Sequence, residues 1–442
     1  MSANVVVVGF GYVGSSVGAV LAAKRYQVTG IDTRPEVVEA VNSGEVTIHE
    51  PGLHDLISQS VADGHLRAST SFDAVSSADV VIITVGTPLG DGEPDTSQVE
   101  AACGEVARHL KRGQLVILKS TVPPFTTEQV ILPILERSGL VGGTDFFLAF
   151  CPERLAEGRA LHELQILPVV VGGINTESTV RAAEFWEEAL GLTTIRVANA
   201  RTAELSKLAD NWWIDMSIAM ANELALLSDR LDIDVLEVID AANSLPKGKH
   251  HVNILLPSMG VGGSCLTKDP WFVHHLAEQR GLQLKLPATG RTINEFMPDY
   301  TFGLIEGGLT EASKDIASSK VAVLGLSFKN NTGDVRLTPT KRVVELLDKS
   351  GCEFTIYDPL VSDSDAATVS HVPMSKSLES AISGADCVAF LTGHDEFRRL
   401  SVEQLQDLVN PGCVIVDGRM YYTRDQIEAF IDAGMVYRGI GR

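Results

Sequence analysis

Residues 4–9, "NVVVVG", run straight into "GFGYVG", and that junction leaves a chain little choice of fold. A continuous β-branched run reads as a parallel strand buried on both faces. After the glycine loop, "SSVGAVLAAKRY" reads as a helix, and "QVTGID" is a second strand ending at Asp32. This is GxGxxG inside a βαβ unit, with an acidic residue about 20 positions on. Gly9 permits the tight turn, Gly11 lets the backbone approach a pyrophosphate, and Gly14 lets helix and strand pack closely. Tyr12 and Val13 lead into a helix N-terminus whose free amides suit phosphates. Asp32 is placed to accept ribose hydroxyls and to repel a 2′-phosphate, so NAD is expected over NADP. Arg34, close by, works against that preference.

Three further runs repeat the strand pattern: "ADVVIITVGTP" (78–88), "QLVILKSTVPP" (114–124) and "DFFLAFCPER" (145–154). Each ends in polar or turn residues, where open α/β sheets carry their sites. Thr87, Ser120, Thr121 and Glu153 are therefore expected to line one crevice. A similar pattern returns near the C-terminus. "SSKVAVLGLSFK" (318–329) is a strand and loop, "PTKRVVELLDKSG" a helix, and "EFTIYDP" a strand with Asp358 at its end. "ADCVAFLTGHD" (385–395) echoes "ADVVIITVGTP", and "CVIVDGR" supplies a last strand. This copy lacks GxGxxG and puts Phe328 and Lys329 in its loop. An aromatic and a cation suit a base and a phosphate better than a second dinucleotide. The expected fold class is α/β, with two Rossmann-like doubly wound parallel-sheet domains joined by a central helical segment. The expected boundaries are 1–200, 201–300 and 301–442.

In the central segment, "TAELSKLADNWWIDMSIAMANELALLSDRL" has neither proline nor glycine and reads as one long helix. Glu204, Lys207 and Asn211 fall on one face at i, i+3 and i+7, beside a stripe of Leu205, Leu208 and Trp212. Lys207 and Asn211 are candidates to hold a water or a substrate oxygen, with a solvated helix edge as the plainer alternative. Further on, "GVGGSCLTKDPWF" (260–272) sets one thiol among glycines. Asp269 and Pro270 read as N-cap and first helical residue. Cys265 then stands just before a helix with Lys268 close by, which favours its thiolate. Gly260, Gly262 and Gly263 let the backbone crowd a ligand. Asp269 is either a cap or a proton acceptor.

The six cysteines form no CxxC pair, which fits neither a disulfide framework nor a zinc site. Cys387 and Cys413 read as buried strand residues, Cys103 as helical and Cys352 as the start of a strand. Cys151 of "CPER" is the one rival to Cys265. With 36 basic against 57 acidic residues the net charge is −21, and such a surface repels nucleic acid and anionic membranes. An anionic ligand has to be held by a few well-placed cations and amides. No apolar run approaches the roughly 18 residues of a membrane span. "MSANVVVVGFGYVG" enters a strand at once and leaves no room for a signal peptide. A reducing cytoplasm is the expected home.

Taken in order, "GFGYVG", "STVPP", "CPERLAEG", "AELSKLADN", "GVGGSCLTKDP", "LSFKNNTGDVR" and "DGR" resemble the nucleotide-sugar 6-dehydrogenases. This is the family of UDP-glucose dehydrogenase and UDP-N-acetylmannosamine dehydrogenase, and the similarity covers essentially the whole chain. The resemblance implies two successive oxidations at C6 of a hexose, each delivering a hydride to NAD+. An aldehyde is captured by the cysteine, oxidised to a thioester and hydrolysed to the uronate. Cys265 would be the nucleophile, Lys207, Asn211 and Asp269 would handle the proton and the water, and Glu153 and Thr121 would line the reacting centre. Arg154, Leu155, Gly262, Phe328, Lys329 and Arg419 are implied on the substrate side. Ser120, Glu157, Lys268 and Arg336 join the glycine loop, Asp32, Arg34 and Thr87 on the cofactor side. A dimer or larger homo-oligomer through the central helix is also implied. "PER" with Arg154 is usual for acetamido sugars, whereas Ser264 and Lys268 are usual for glucose. The expectation leans to glucose, carried on uracil or thymine. Two other readings remain in play. A 6-phosphogluconate-like hydroxyacid dehydrogenase needs neither the thiol nor the second nucleotide domain. A non-enzymatic nucleotide-sugar sensor would expect a damaged thiol or lysine.

Overall fold

Strand β1 (Asn4–Val8) divides its valines between two cores: Val5 and Val7 face one, Val6 and Val8 the other. Only a strand covered on both faces can bury such a run, and that sets the architecture of the N-terminal part. The computed structural model describes residues 3–442 apart from 47, 49, 91 and 92, and the counts below are of those residues. The chain packs into two compact units, one running to Asp210 and including His275–Gly281, the other Asn211–His274 with Leu282–Arg442.

In the first unit, β2 (Gln27–Ile31), β3 (Leu66–Ser69), β4 (Val80–Ile83), β5 (Leu115–Leu118), β6 (Phe147–Phe150), β7 (Val169–Gly173) and β8 (Thr194–Arg196) join β1 in an eight-stranded sheet. Its order is β8-β7-β6-β5-β4-β1-β2-β3. The strands from β3 to β6 are parallel, with Val6 opposite Thr29 on one side and Val81 on the other. β3, β7 and β8 were not visible as strands in the sequence, and "CVIVDGR" is not the last strand, since Val436–Gly439 follows it. β7 pairs antiparallel with β6, so the parallel run stops there. Helix α1 (Tyr12–Ala23) follows the glycine loop and buries Gly14 to Ala22.

The second unit carries a smaller sheet of β9 (Lys320–Leu324), β10 (Glu353–Tyr357), β11 (Cys387–Phe390), β12 (Val414–Asp417) and β13 (Val436–Gly439). All pairings are parallel, in the order β10-β9-β11-β12-β13. Val321 and Val323 face one core, Ala322 and Leu324 the other, as in β1. The long helix α2 spans Ala200–Leu231, 32 residues, as its lack of proline and glycine predicts. It starts in the first unit and continues into the second. Helix α3 (Asp269–Gln279) follows the cysteine turn, and α4 (Leu286–Glu311) packs against α2 through a buried Arg291–Asp215 pair at 2.8 Å. The architecture is the expected one: two Rossmann-like domains and a central helical segment. Among the described residues no helix is long and apolar enough to cross a membrane.

Candidate active site

The turn after β1 explains its three glycines differently from one another. Gly9 sits at φ 87°, and a side chain there would meet Val85 within 3.0 Å. A Cβ on Gly14 would lie 2.0 Å from the Gly9 carbonyl oxygen, so only glycine lets α1 approach the strand. At Gly11 an added Cβ meets nothing within 4 Å. That open space lies over the helix N-terminus, where a pyrophosphate finds backbone donors. A cleft of about 530 Å³ continues from it past Asp32, Thr33 and Arg34 to Phe72, Gln98 and Glu105. The residues fit a dinucleotide. Asp32 is buried and fully engaged: its carboxylate accepts from the Phe10 amide at 3.0 Å and from the Arg34 amide and Nε at 3.0 and 3.1 Å. Arg34, which the sequence set against Asp32, is folded onto it. Val13 is partly buried against the core beneath the loop. The Tyr12 hydroxyl bonds Glu50, and the amides of Gly158 and Ala160 reach the same carboxylate at 2.7 and 2.8 Å. Burial, reinforced by Glu50, raises the Tyr12 phenol above its usual range. Glu50 thus ties the glycine loop to the segment after Glu153, and Glu157 belongs to that segment.

The strand ends of this unit are tied by side-chain hydrogen bonds. The Thr87 hydroxyl donates to the Thr121 carbonyl at 2.7 Å and Ser120 Oγ to the Val85 carbonyl at 2.7 Å. Glu153 Oε1 accepts the Arg154 and Leu155 amides at 2.7 and 3.1 Å, and its Oε2 lies 3.0 Å from Lys119 Nζ. Lys119 is 4% exposed and stacks over Trp186 at 4.8 Å. Lys119 is a site residue beyond those expected from the sequence, although a lysine ending an apolar strand in "VILKST" is itself a signal of a buried partner. The Arg154 side chain turns to the Pro168 carbonyl and towards Asp210. Glu204 bonds away from a ligand: it accepts the Phe125 amide at 2.7 Å and the Thr127 amide and hydroxyl at 2.8 and 2.6 Å. It holds the loop after Thr121, in which Phe125 sits at φ 80°. Burial raises the pKa of the Glu204 carboxyl above the usual carboxylate range, against the pull of those donors. Lys207, on the next turn of α2, is buried.

Cys151 is fully buried, and burial pushes its thiol up to about 11. That removes the rival nucleophile. Cys265 is exposed. It heads a turn in which the Lys268 and Asp269 amides return to its carbonyl at 3.2 and 2.9 Å. Asp269 is therefore a helical residue and not the expected N-cap, because the turn from Cys265 runs on into α3. Its carboxylate instead accepts from Asn211 Nδ2 at 2.5 Å and pairs with Lys268 Nζ at 2.6 Å. Asn211 and Asp269, both in the second unit, form a buried polar pair. Lys268 also lies 4.3 Å over the Phe272 ring.

The glycines before Cys265 make room for protein and not for a ligand. A Cβ at Gly262 would sit 2.5 Å from the Phe328 side chain, and one at Gly263, whose φ is 83°, would sit 2.7 Å from its ring. Phe328 covers the glycine backbone. Gly263 also donates to the Arg336 carbonyl at 3.1 Å, while the Arg336 guanidinium pairs with Asp334. Arg419 turns inward: its Nε donates to the Leu391 carbonyl at 2.7 Å and its Nη2 to the Phe328 carbonyl at 3.0 Å. Burial lowers its guanidinium to about 10. Its neighbour Asp417 accepts the amides of Arg419, Tyr421 and Tyr422, which fixes the "DGR" turn. Lys329 is half-buried in the same loop as Phe328.

A dinucleotide cleft, an exposed thiol on a polar turn and a second Rossmann-like sheet together define an NAD-dependent oxidoreductase. The sequence matches three domain profiles of one family: the NAD-binding domain over residues 3–190, the central domain over 201–296 and the UDP-binding domain over 322–424. The chain belongs to the UDP-glucose/GDP-mannose dehydrogenase family. It is similar to the UDP-N-acetyl-D-mannosamine dehydrogenase of Pyrococcus horikoshii, with 35% identity over 99% of each chain. The solved structure of a UDP-D-ManNAc dehydrogenase from that organism has a TM-score of 0.89 at 34% identity and covers 99% of both chains. The UDP-glucose dehydrogenase of Pyrobaculum islandicum has a TM-score of 0.88 at 30% identity, over 100% of this chain and 98% of its own.

Proposed function

We propose that the chain oxidises the C6 hydroxyl of UDP-N-acetyl-mannosamine, or a close acetamido relative, to the carboxylate in two NAD+-dependent steps. The observation that carries the reading is Cys265, exposed on a turn whose next carboxylate, Asp269, is held between Asn211 and Lys268. NAD+ supplies the hydride acceptor for each step. The Cys265 sulfur adds to the C6 aldehyde left by the first oxidation, and the thiohemiacetal loses a second hydride to become a thioester. Water then cleaves the C–S bond and returns the thiol. The balance is one alcohol, two NAD+ and one water to one carboxylate, two NADH and three protons. Lys207, Asn211 and Asp269 position that water and take its proton. Glu153 and Thr121 line the reacting carbon.

The named relatives favour an acetamido sugar over the lean to glucose. In the structure Lys268, one of the two glucose marks, is paired with Asp269 and Phe272, and Arg154, the acetamido mark, is turned to the Pro168 carbonyl and Asp210, so it is the relatives that support the choice of sugar. The three modules 1–200, 201–300 and 301–442, and assembly through the central helix, belong to the same proposal. NADH formation should be compared for UDP-N-acetylmannosamine, UDP-N-acetylglucosamine, UDP-glucose and dTDP-glucose at equal concentration. Highest kcat/KM is expected with an acetamido sugar. A clear preference for UDP-glucose would restore the glucose reading, and no reduction with any of them would remove the function.

A further inference from the structure

Loop Ser327–Asn331 carries Phe328 and Lys329 and ends in a left-handed residue. Asn331 sits at φ 57°, in the left-handed region. Behind the loop lies His394, 1% exposed. Its Nε2 is 3.0 Å from Asp358 Oδ2, and its Nδ1 lies 3.0 Å from the Asn331 amide nitrogen. An amide N–H aimed at Nδ1 needs a lone pair there, so the ring carries its proton on Nε2 and donates it to Asp358. Asp358 is an acceptor throughout: it also takes the amides of Leu326 and Ser327 at 2.8 and 3.1 Å and of Leu360 and Val361 at 2.9 and 3.2 Å. Ser327 Oγ is 3.3 Å from the same ring nitrogen and donates to the Lys329 carbonyl at 3.0 Å. One chain of groups therefore runs from the end of β10 through the imidazole to the backbone on both sides of Lys329.

We infer that His394 is a positioning residue for nucleotide binding: it selects the conformation of the Phe328–Lys329 loop by supplying an acceptor to the Asn331 amide. This rests on the proposed nucleotide-sugar function, but it concerns affinity and not the chemistry at Cys265. Its loss lowers the fraction of molecules whose loop is competent to bind, and the apparent dissociation constant rises by that factor. Chemistry once the substrate is bound is left alone.

The test uses the full chain and UDP as the probe, titrated calorimetrically, with thermal unfolding as a check on folding. His394→Phe keeps an aromatic ring beside Phe397, whose centroid is 5.4 Å away, but removes both ring nitrogens. It should weaken UDP about tenfold, the effect of leaving a part-buried amide unpaired. It should raise KM for the nucleotide sugar while kcat and KM for NAD+ stay within about twofold, an effect confined to binding. His394→Gln, which offers both a donor and an acceptor, should recover most of the affinity. If His394→Phe does not fold, His394→Asn, too short to span Asp358 and Asn331, carries the same expectation. UDP binding within twofold of the unmodified chain in the nitrogen-free or shortened variant would overturn the inference. So would a fall in kcat with UDP affinity unchanged. An unmodified chain that binds no UDP overturns the functional reading instead, and this one with it.

Discussion

Arg34 and Asp32 show how one contact changes what a residue pair means. In sequence they oppose each other, one inviting a 2′-phosphate and the other repelling it. In the structure Arg34 donates to Asp32 through both its amide and its side chain, so the cation is occupied by that carboxylate. NAD+ preference then depends on Asp32 holding Arg34 down. Asp32→Asn should release the guanidinium and raise the NADP+ to NAD+ ratio of kcat/KM by about tenfold, the worth of one charge-assisted hydrogen bond. An unchanged ratio in steady-state assays would show that Arg34 has no part in the preference. The same scale shows what sequence could not reach. Lys119 under Glu153, Glu50 under Tyr12 and the turn of Phe328 onto Gly263 are contacts between residues far apart in the chain. No local pattern encodes them. Asp269 was legible as a polar residue at a helix start, but its partner Asn211 lies 58 residues away.

At the scale of elements most of the fold was legible, because most strands of the two sheets are apolar runs that end in turn residues. β1, β2, β4, β5 and β6 stand where the pattern put them, and so does α2, while α1 begins at Tyr12, ahead of the run "SSVGAVLAAKRY". β3, β7, β8 and β13 were missed. β3, β8 and β13 are not continuous apolar runs, with Arg67, Ile195 and Arg196 exposed, and β7 is a buried run closed by two glycines that pairs antiparallel with β6. The β1–α1 turn makes a sharper claim, since its glycines serve different ends. Gly14→Ala places a methyl against a carbonyl oxygen and should destabilise the first unit by about 3 kcal/mol or more, as overpacking against backbone does. Gly11→Ala has open space around it and should change stability by less than about 1 kcal/mol. It should nevertheless weaken NAD+ binding at least about tenfold, because the methyl occupies the path of the pyrophosphate. Denaturant unfolding together with NAD+ titration checks both. Equal loss of stability in the two variants would show that the open space at Gly11 is not kept for a ligand.

For the whole molecule, α2 carries an unpartnered stripe. Trp213, Met220 and Leu227 are 50, 52 and 55% exposed and recur every seven residues along it, the spacing of a helix face that meets another helix. A chain with net charge −21 gains nothing from leaving such a face in water. Sedimentation of the unmodified chain should show a homo-oligomer, and Trp213→Glu with Met220→Glu should shift it towards monomer. A monomeric unmodified chain at micromolar concentration would remove this part of the proposal. The most direct measurement of the central claim is the number of NADH formed per UDP-N-acetylmannosamine at exhaustion, for the unmodified chain and for Cys265→Ser, with Cys151→Ser as control. The thioester route predicts two NADH per sugar for the unmodified chain and for Cys151→Ser, and failure of Cys265→Ser to pass the aldehyde, because serine forms no thioester. Two NADH per sugar from Cys265→Ser at a rate near that of the unmodified chain would contradict it.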